Sequence, residues 1–578
     1  MLISTDNKRA NIQDRFYHAL IGRMSLGLSP SSLLLAYYDW LLNLLVSPGK
    51  QSELIQKYMD KLVRLGLYSI NYTCNQNIEP CIKPLPQDKR FLNPQWQSWP
   101  FNFIYQSFLL NQTWWHIATT DIKGVSKHHE KAVSFAARQM LDMLSPSNFP
   151  LTNPEVIDKT LRTGGNNLIN GFANLIEDWE RIIDNRRAVG TEQFQPGKTV
   201  ALTAGEVIYR NRLIELIQYR PNTDTVYKEP VLIVPAWIMK YYVLDLSPNN
   251  SLVKYLVEKG HTVFIISWKN PTEEDRDLSL EDYRQLGISK AIDVVSVIVP
   301  KTRIHMAGYC LGGTLLTIAV AAMARESDDR VASLSLLASQ TDFEEAGELM
   351  LFIDESQVTF LEDIMWEQGY LDTKQMANAF HILRSNDLIW SAILHDYLLG
   401  ERRPMTDLMA WNADATRMPY KMHSQYLRKL FLNNELAEQK YYVDDRPVAI
   451  SDIRVPIFSI ATIKDHVSPW KSVYKIHMLT DTEVTFLLTS GGHNAGIISE
   501  PGHPRRHYRL STQSAENKYI DPDTWLQLNQ EHDGSWWPAW QKWLAKHSNG
   551  RVSPPHIGSR RKQYVPLCSA PGTYVFEQ

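Results

Sequence analysis

The hydrophobic pattern of the chain changes near residue 196. Before that point, segments 33–45 and 128–144 place apolar residues at positions i, i+3, i+4 and i+7, the spacing of one face of an α-helix. After it, residues 198–219 alternate in the manner of two strands joined by a polar turn. The pattern therefore predicts a mostly helical accessory domain over residues 1–195 and a second domain over residues 196–578.

The second domain contains nearly continuous apolar runs typical of buried strands, at 231–235, 262–268, 303–308, 331–339, 455–462 and 483–489. Such runs favour a sheet that is buried on both faces and mostly parallel. Helical patterns separate several of them, which predicts a doubly wound α/β architecture. The alternation is interrupted over residues 343–450, a segment rich in Met, Trp and charge. Because core strands flank this segment, we expect a helical insertion that covers the active site.

Composition narrows the function classes. The chain has 578 residues, of which 44% are apolar and 21% charged, as in a folded protein with a real core. A net charge of −3 lacks the excess of basic residues that is typical of nucleic-acid-binding proteins. The N-terminus has no signal-peptide pattern, and the apolar stretch 32–46 is too short to span a bilayer. We expect a cytoplasmic protein without a transmembrane segment, a cofactor or a metal. Its four cysteines are too scattered for a disulfide framework: Cys74, Cys81, Cys310 and Cys568.

The strongest chemical signal is RIHMAGYCLGGTLLTIAVAA, residues 303–322. A predicted strand runs into Gly308-Tyr309-Cys310-Leu311-Gly312, and a helix follows. This is the G-x-S-x-G nucleophile elbow of the α/β-hydrolases with Cys in place of Ser. The glycines permit the sharp turn, and the helix N-terminus favours a thiolate. The alternative is a glycine-rich turn with a small buried cysteine.

An α/β-hydrolase also needs an acid and then a histidine, each after a later core strand. Asp465 follows the run at 455–462, and His493 follows the run at 483–489. We predict that His493 takes the proton of Cys310 and that Asp465 orients the imidazole. The neighbouring His466 is a rival base, which we interpret as structural.

An oxyanion site requires a backbone N–H from the loop after an earlier strand. Residues 235–237, Pro-Ala-Trp, supply that loop, so Ala236 and Trp237 are candidate donors together with the N–H of Leu311. Asp245, a few residues on, fits a helix cap and a site residue equally well.

Together these motifs resemble those of the polyhydroxyalkanoate synthases, also called poly(3-hydroxybutyrate) polymerases, and most closely their class I. The resemblance extends over nearly the whole chain. One departure is visible at Pro235-Ala236-Trp237, where the family often has Pro-Pro or Pro-Pro-Trp. The matching segments are GYCLGGTLL, KDHVSPW, SGGHNAGIISEPG, WQSWPFNFIYQSF, SPSNFPLTNPEV, GSWWPAWQKWL and PGTYVFEQ.

The resemblance implies a reaction. A short-chain (R)-3-hydroxyacyl-CoA, such as 3-hydroxybutyryl-CoA, would acylate Cys310, CoA would leave, and a hydroxyl would attack the acyl-enzyme to lengthen a polyester. It also gives Asp465 a second role, helping to deprotonate the incoming hydroxyl. It implies a homodimer formed through residues 343–450, and association of the N-terminal region with polyester granules and granule-associated proteins.

The family places CoA contacts in the insertion, which implies a set of candidate binding residues. The guanidinium fork of Arg384 suits a CoA phosphate. A surface or packing role is the alternative for each member of the set: Arg384, Trp411, Tyr426 and Asn434, together with His466.

Two other functions stay open, since a fold alone does not decide the reaction. One is a thioesterase or another acyltransferase of the same fold, although Cys in place of Ser disfavours plain ester hydrolysis. The other is a non-catalytic granule-associated protein, which an intact set of Cys310, Asp465 and His493 disfavours.

Overall fold

The computed structural model describes residues 3–25, 27–74, 79–559 and 564–578. The chain divides into two compact units. The unit called here the sheet unit comprises residues 1–21, 190–373 and 405–578, and the helical unit comprises residues 22–189 and 374–404. A domain boundary at residue 196, with 343–450 as one insertion, stays a prediction.

The α-helices are α1 (Ile3–Met24), α2 (Pro30–Leu45), α3 (Pro48–Cys74), α4 (Phe101–Thr119), α5 (Lys127–Met143), α6 (Pro154–Thr163), α7 (Asn166–Ile183), α8 (Leu252–Glu258), α9 (Leu280–Asp282), α10 (Lys290–Ile298), α11 (Leu311–Arg325), α12 (Glu355–Gln368), α13 (Thr373–Leu383), α14 (Asp407–Asn412), α15 (Tyr420–Tyr426), α16 (Trp470–Tyr474), α17 (Ile476–Leu479), α18 (Pro522–Leu528) and α19 (Trp537–Lys546). Wider π-helical turns occur at Tyr283–Ser289, Asn386–Trp390, Ile393–Leu398 and Leu427–Leu432.

The strands are β1 (Gly205–Arg210), β2 (Ile214–Tyr219), β3 (Val226–Tyr227), β4 (Val231–Val234), β5 (Val263–Trp268), β6 (Ile304–Tyr309), β7 (Val331–Leu337), β8 (Tyr370–Leu371), β9 (Met418–Pro419), β10 (Tyr442–Val443), β11 (Arg446–Pro447), β12 (Ile457–Thr462), β13 (Val484–Thr489), β14 (His507–Gln513), β15 (Glu531–Asp533), β16 (Arg551–Val552) and β17 (Cys568–Ser569).

Helices α2 to α7 make up most of the helical unit, as the periodicity of the first 195 residues predicts. Local sequence sets their ends. Asn153 caps α6 by accepting hydrogen bonds from the N–H groups of Glu155 and Val156, and Gly164 ends it in the left-handed conformation, at φ 60°. A hydrophobic core of three aromatic residues and one leucine is buried in this unit: Phe91, Trp96, Tyr105 and Leu109.

The sheet unit is built on one large sheet, whose order in the described residues is β15-β14-β13-β12-β7-β6-β4-β5-β2-β1-β17. The six apolar runs of the sequence form β4, β5, β6, β7, β12 and β13, and these strands pair in parallel. The strands outside this central set pair antiparallel. Helices α8, α10 and α11 connect central strands. The α/β-hydrolase fold predicted from the sequence is confirmed.

The segment between β7 and β12 adds no strand to the large sheet among the residues that the structure describes. It forms α12 to α15 and two short antiparallel pairs, β8–β9 and β10–β11. Helix α1 contacts this segment, because Asp363 of α12 accepts a hydrogen bond from His18 at 2.7 Å and faces Arg15 at 3.3 Å. Its proposed roles as a cover and a dimer surface stay predictions.

Because β4, β6, β12 and β13 run parallel, their carboxyl ends meet at one edge of the sheet. The loops that follow these four strands carry the residues at 235–237, Cys310, Asp465 and His493.

Candidate active site

Cys310 occupies a strained turn between β6 and α11. Its backbone has φ 52° and ψ −126°, a left-handed conformation that costs free energy for a residue with a side chain. The flanking glycines are required by close approach. A Cβ on Gly308 would lie 2.3 Å from the Cα of Gly313, and one on Gly312 would lie 2.2 Å from the carbonyl oxygen of Val234. The predicted elbow geometry is therefore present.

Asp465 and His493 form a direct pair, with 2.7 Å between Asp465 Oδ2 and His493 Nδ1. Thr462 at the end of β12 donates its hydroxyl to the same oxygen at 3.0 Å. The backbone N–H groups of Val467 and Ser468 donate to Oδ1 at 2.9 and 2.8 Å. Four donors thus fix a carboxylate whose side chain is fully buried.

The charges of this pair favour its ionised form. Burial lowers the pKa of His493, but the Asp465 carboxylate and then Cys310 outweigh burial and raise it well above its ordinary value. Burial raises the pKa of Asp465, whereas His493 and the backbone N–H groups lower it, and the balance holds it below its ordinary value. Cys310 raises the pKa of His493 partly through a side-chain hydrogen bond, which links the imidazole directly to the thiol.

The loop after β4 lies against the elbow, as the contact between Gly312 and Val234 requires. Thr416 donates its hydroxyl to the carbonyl of Trp237, and the indole of Trp411 donates to the carbonyl of Lys240 at 2.7 Å. These bonds attach the loop to the insertion.

The N–H groups of Ala236, Trp237 and Leu311 make no hydrogen bond to another described residue. They are available to an oxyanion. Asp245 lies apart from this arrangement and accepts hydrogen bonds from Ser251, the cap residue of α8, at 2.6 Å and from Thr203.

Tyr426, a member of the predicted CoA-binding set, interacts electrostatically with Cys310. Burial, followed by the charge of Cys310, raises the pKa of the Tyr426 phenol well above its ordinary value. Its ring lies 6.2 Å from that of Trp237 and 6.4 Å from that of Phe343, centroid to centroid. The three rings thus form one aromatic cluster.

The other members of that set have local partners. Arg384 pairs with Asp387 within the helical unit. Trp411 anchors the loop after β4, as described above. Asn434 accepts a hydrogen bond from the N–H of Phe343 at 2.9 Å, and the backbone carbonyl of His466 accepts one from Glu348 at 3.0 Å. A role in binding CoA stays a prediction for each.

Sequence reasoning missed three residues that hold the site. Thr462 bonds Asp465, Ser339 donates its hydroxyl to the carbonyl of Cys310 at 2.8 Å, and Tyr309 bonds the residue after His493. Thr462 had a usable signal, because it is a polar residue at the end of an apolar strand, three positions before the acid.

Within the described residues, no group of three or more His, Cys, Asp and Glu side chains could hold a metal ion. No helix in that part of the chain is both long and apolar enough to cross a membrane.

Three family models match the chain: "Poly-beta-hydroxybutyrate polymerase N terminal" at residues 8–50, "Poly-beta-hydroxybutyrate polymerase (PhaC) N-terminus" at 87–256, and "alpha/beta hydrolase fold" at 229–499. The chain is 43% identical over 503 residues to the poly(3-hydroxyalkanoate) polymerase of Methylorubrum extorquens, covering 86% of this chain and 82% of that protein. It is 34% identical over 545 residues to the poly(3-hydroxyalkanoate) polymerase subunit PhaC of Cupriavidus necator, covering 93% and 90%.

The electrostatics of the Asp465–His493 pair predict a pH-dependent contribution to stability. A raised histidine pKa stabilises the fold fully below about pH 6.5 and loses that effect as pH rises through the folded value. A lowered aspartate pKa stabilises the fold above about pH 4 and loses that effect as pH falls. We expect Asp465→Asn to lower the free energy of unfolding by about 3–5 kcal/mol at pH 5.5, the usual cost of breaking a buried pair, and by less at pH 9. Urea unfolding of both proteins at the two pH values measures this, and an equal loss at both would contradict it.

Proposed function

The chain belongs to the poly(3-hydroxyalkanoate) polymerases, acyltransferases built on the α/β-hydrolase fold, and we propose that it forms polyester from short-chain (R)-3-hydroxyacyl-CoA through a covalent intermediate on Cys310. One observation carries the proposal. Cys310 stands on a strained elbow next to a histidine that a buried carboxylate holds and charges. That arrangement suits a thiolate nucleophile.

In the acylation step, His493 holds the proton of Cys310 and the thiolate attacks the thioester carbonyl. The carbon–sulfur bond to Cys310 forms, and the carbonyl oxygen becomes an oxyanion that the N–H groups of Leu311 and of the 236–237 loop stabilise. The intermediate then expels the CoA sulfur, which takes the proton from His493. Because one thioester replaces another, the acylation step is nearly neutral in free energy.

In the elongation step, the 3-hydroxyl of a further unit attacks the acyl group on Cys310. An ester bond forms, the bond to sulfur breaks, and the hydroxyl proton passes to the His493–Asp465 pair. An alcohol is a weak acid, so this step asks more of the base than acylation does. We propose that Asp465 supplies the additional basicity that the elongation step needs.

Hydrolysis by a thioesterase is the rival reaction. It requires water to reach the same acyl group. Cys310 is only 9% exposed, and the ring of Trp237, on the loop of the oxyanion candidates, lies 6.2 Å from that of Tyr426. This apolar surrounding favours a hydroxyl delivered on a bound acyl chain over water from solvent.

We further propose that the protein works in the cytoplasm on the surface of polyester granules, with granule-associated proteins, and as a homodimer through the 343–450 segment. Helix α7 supports the granule contact. One face packs within the helical unit, where a Cβ on Gly171 would lie 1.8 Å from the carbonyl oxygen of Tyr397. The other face exposes a stripe of large apolar side chains: Ile169, Phe172, Leu175, Trp179, Ile182 and Ile183. Such a stripe suits a hydrophobic surface.

Cys310→Ala should abolish CoA release and polymer formation from 3-hydroxybutyryl-CoA, because loss of a nucleophile costs several orders of magnitude. Cys74→Ala, which removes an exposed thiol on α3, is the matched control and should keep wild-type activity. Activity above about 1% in the Cys310 variant would exclude covalent catalysis at this residue. Free acid without polymer from the wild-type protein would identify a thioesterase.

Asp465→Asn should separate the two steps. It keeps the shape of the side chain and removes its charge, so we expect acyl-Cys310 to form while elongation slows by about 100-fold or more, within the range that a general base contributes. Rapid-quench mass analysis of the Cys310 peptide, alongside polymer yield, measures both rates. Equal losses in the two would leave Asp465 with an orienting role only.

Phe172→Ser combined with Trp179→Ser should weaken granule association. Both side chains are more than half exposed on α7, at 63% and 60%. Burying one such side chain stabilises a complex by about 1.5–3 kcal/mol, so binding to polyester particles should fall at least about 10-fold. Sedimentation with the particles measures it. Leu528→Ser, at a site 69% exposed on α18, is the control, and an equal loss there would contradict a specific role for α7.

A further inference from the structure

Tyr309 makes a hydrogen bond that the triad does not account for. It precedes Cys310 at the end of β6, and its side chain is almost fully buried. Its phenol donates to Oδ1 of Asn494, the residue after His493, at 2.5 Å. Its ring centroid also lies 5.8 Å from that of His493, with the planes inclined by 32°. One side chain on the nucleophile's strand thus contacts both the imidazole and its loop.

The outer side of the His493 loop is held by other groups. Arg506 donates to the carbonyl of Ala495 at 2.6 Å, and the indole of Trp536 donates to the carbonyl of Gly496 at 3.0 Å. These bonds fix the loop to the rest of the sheet unit and not to the elbow. The bond from Tyr309 is therefore a second polar link between the strand of Cys310 and the loop of His493, beside the interaction of Cys310 with His493 itself.

Asn494 uses both ends of its amide. While Oδ1 accepts from Tyr309, Nδ2 donates to Oδ1 of Asn412 at 3.3 Å. Asn412 is the last residue of α14, in the segment between β7 and β12. The amide therefore joins the elbow, the histidine loop and the insertion.

We propose that Tyr309 and Asn494 are a positioning pair that holds the imidazole of His493 at the correct distance from Cys310. Through Asn412, the same pair couples the position of the imidazole to the position of the insertion. The inference rests on the proposed function. Cys310 and His493 lie on separate loops, and an error of about 1 Å in such a distance can cost about 100-fold in rate. Burial raises the pKa of the Tyr309 phenol well above its ordinary value, which keeps it a donor at neutral pH.

Tyr309→Phe is the direct test, because it keeps the ring and removes the donor. We expect kcat for CoA release from 3-hydroxybutyryl-CoA to fall about 10-fold with KM changed less than about twofold. The matched control is Tyr474→Phe, which removes a buried phenol that donates to the carbonyl of Ile520 at 2.9 Å and, within the described residues, makes no hydrogen bond to Cys310, Asp465 or His493. It should keep wild-type kcat at a similar loss of stability. A kcat loss in Tyr309→Phe no larger than in the control would overturn the proposal.

A double-mutant cycle identifies the bond. Asn494→Ala removes the acceptor, and the variant with both substitutions should be no slower than the worse single variant, since both act through one contact. Losses that multiply would show independent roles and contradict the pair. Asn412→Ala should lower kcat by part of the loss seen in Asn494→Ala. A wild-type kcat in Asn412→Ala would contradict the proposed link to the insertion. If Tyr309→Phe does not fold, Asn494→Ala and Asn412→Ala carry the test.

Alkylation of Cys310 by iodoacetamide, without substrate, separates this inference from the proposed function. Thiolate is the reactive form, so a well-placed imidazole speeds alkylation at pH 7 and matters little at pH 10. We expect Tyr309→Phe to react about 10-fold slower than wild type at pH 7 and equally fast at pH 10. Matching profiles, with inactivation of both proteins, would reject the positioning pair only. A wild-type enzyme that stays fully active with Cys310 alkylated would reject the proposed function.

Discussion

The active site depends on one backbone feature, the left-handed turn at Cys310. The strain of that turn is tolerated because its surroundings leave no alternative. The N–H of Cys310 donates to the carbonyl of Leu337 in β7 at 2.9 Å, and Ser339 holds the carbonyl of Cys310. Glycines on both sides let β4 and α11 approach within contact distance. Because these contacts fix the backbone of Cys310, the other groups of the site must be positioned relative to it.

The parallel sheet brings those groups to one edge, but hydrogen bonds decide their final placement. Asp465 is held by four donors before it meets any substrate, and its charge is balanced by His493 rather than by solvent. Removing two charges from water is costly, and it is tolerable only where each is paired and its remaining lone pairs are satisfied. The same pairing that makes burial possible keeps the imidazole charged beside the thiol. Stability and reactivity therefore come from one interaction.

Much of this arrangement is predictable from sequence. Continuous apolar runs locate the central strands, and the order of Cys310, Asp465 and His493 after three of them identifies a candidate triad, because both signals are local. The bond from Tyr309 to Asn494 joins residues 185 positions apart, and no local pattern encodes it. The predicted CoA contacts stay predictions, and the sequence alone does not show which of those side chains the fold already uses. Residue type made Asn434 a candidate, but its amide already bonds Phe343 where the insertion begins. Hydrogen-bonding capacity that the fold itself consumes is invisible in the sequence.

The segment between β7 and β12, whose role as a cover stays a prediction, also forms hydrogen bonds to the loops of the site. Within the sheet unit, Thr416 and Trp411 bond the loop that carries the oxyanion donors, and Asn412 bonds the neighbour of His493. All three belong to one short stretch around α14. Cys310 itself is only 9% exposed. Because one stretch bonds both loops, a displacement of that stretch would release hydrogen bonds at the 235–240 loop and at the histidine loop together. The placement of the candidate oxyanion donors and the placement of the imidazole are thus linked through the same few hydrogen bonds, and a reaction at Cys310 would need both groups in position together.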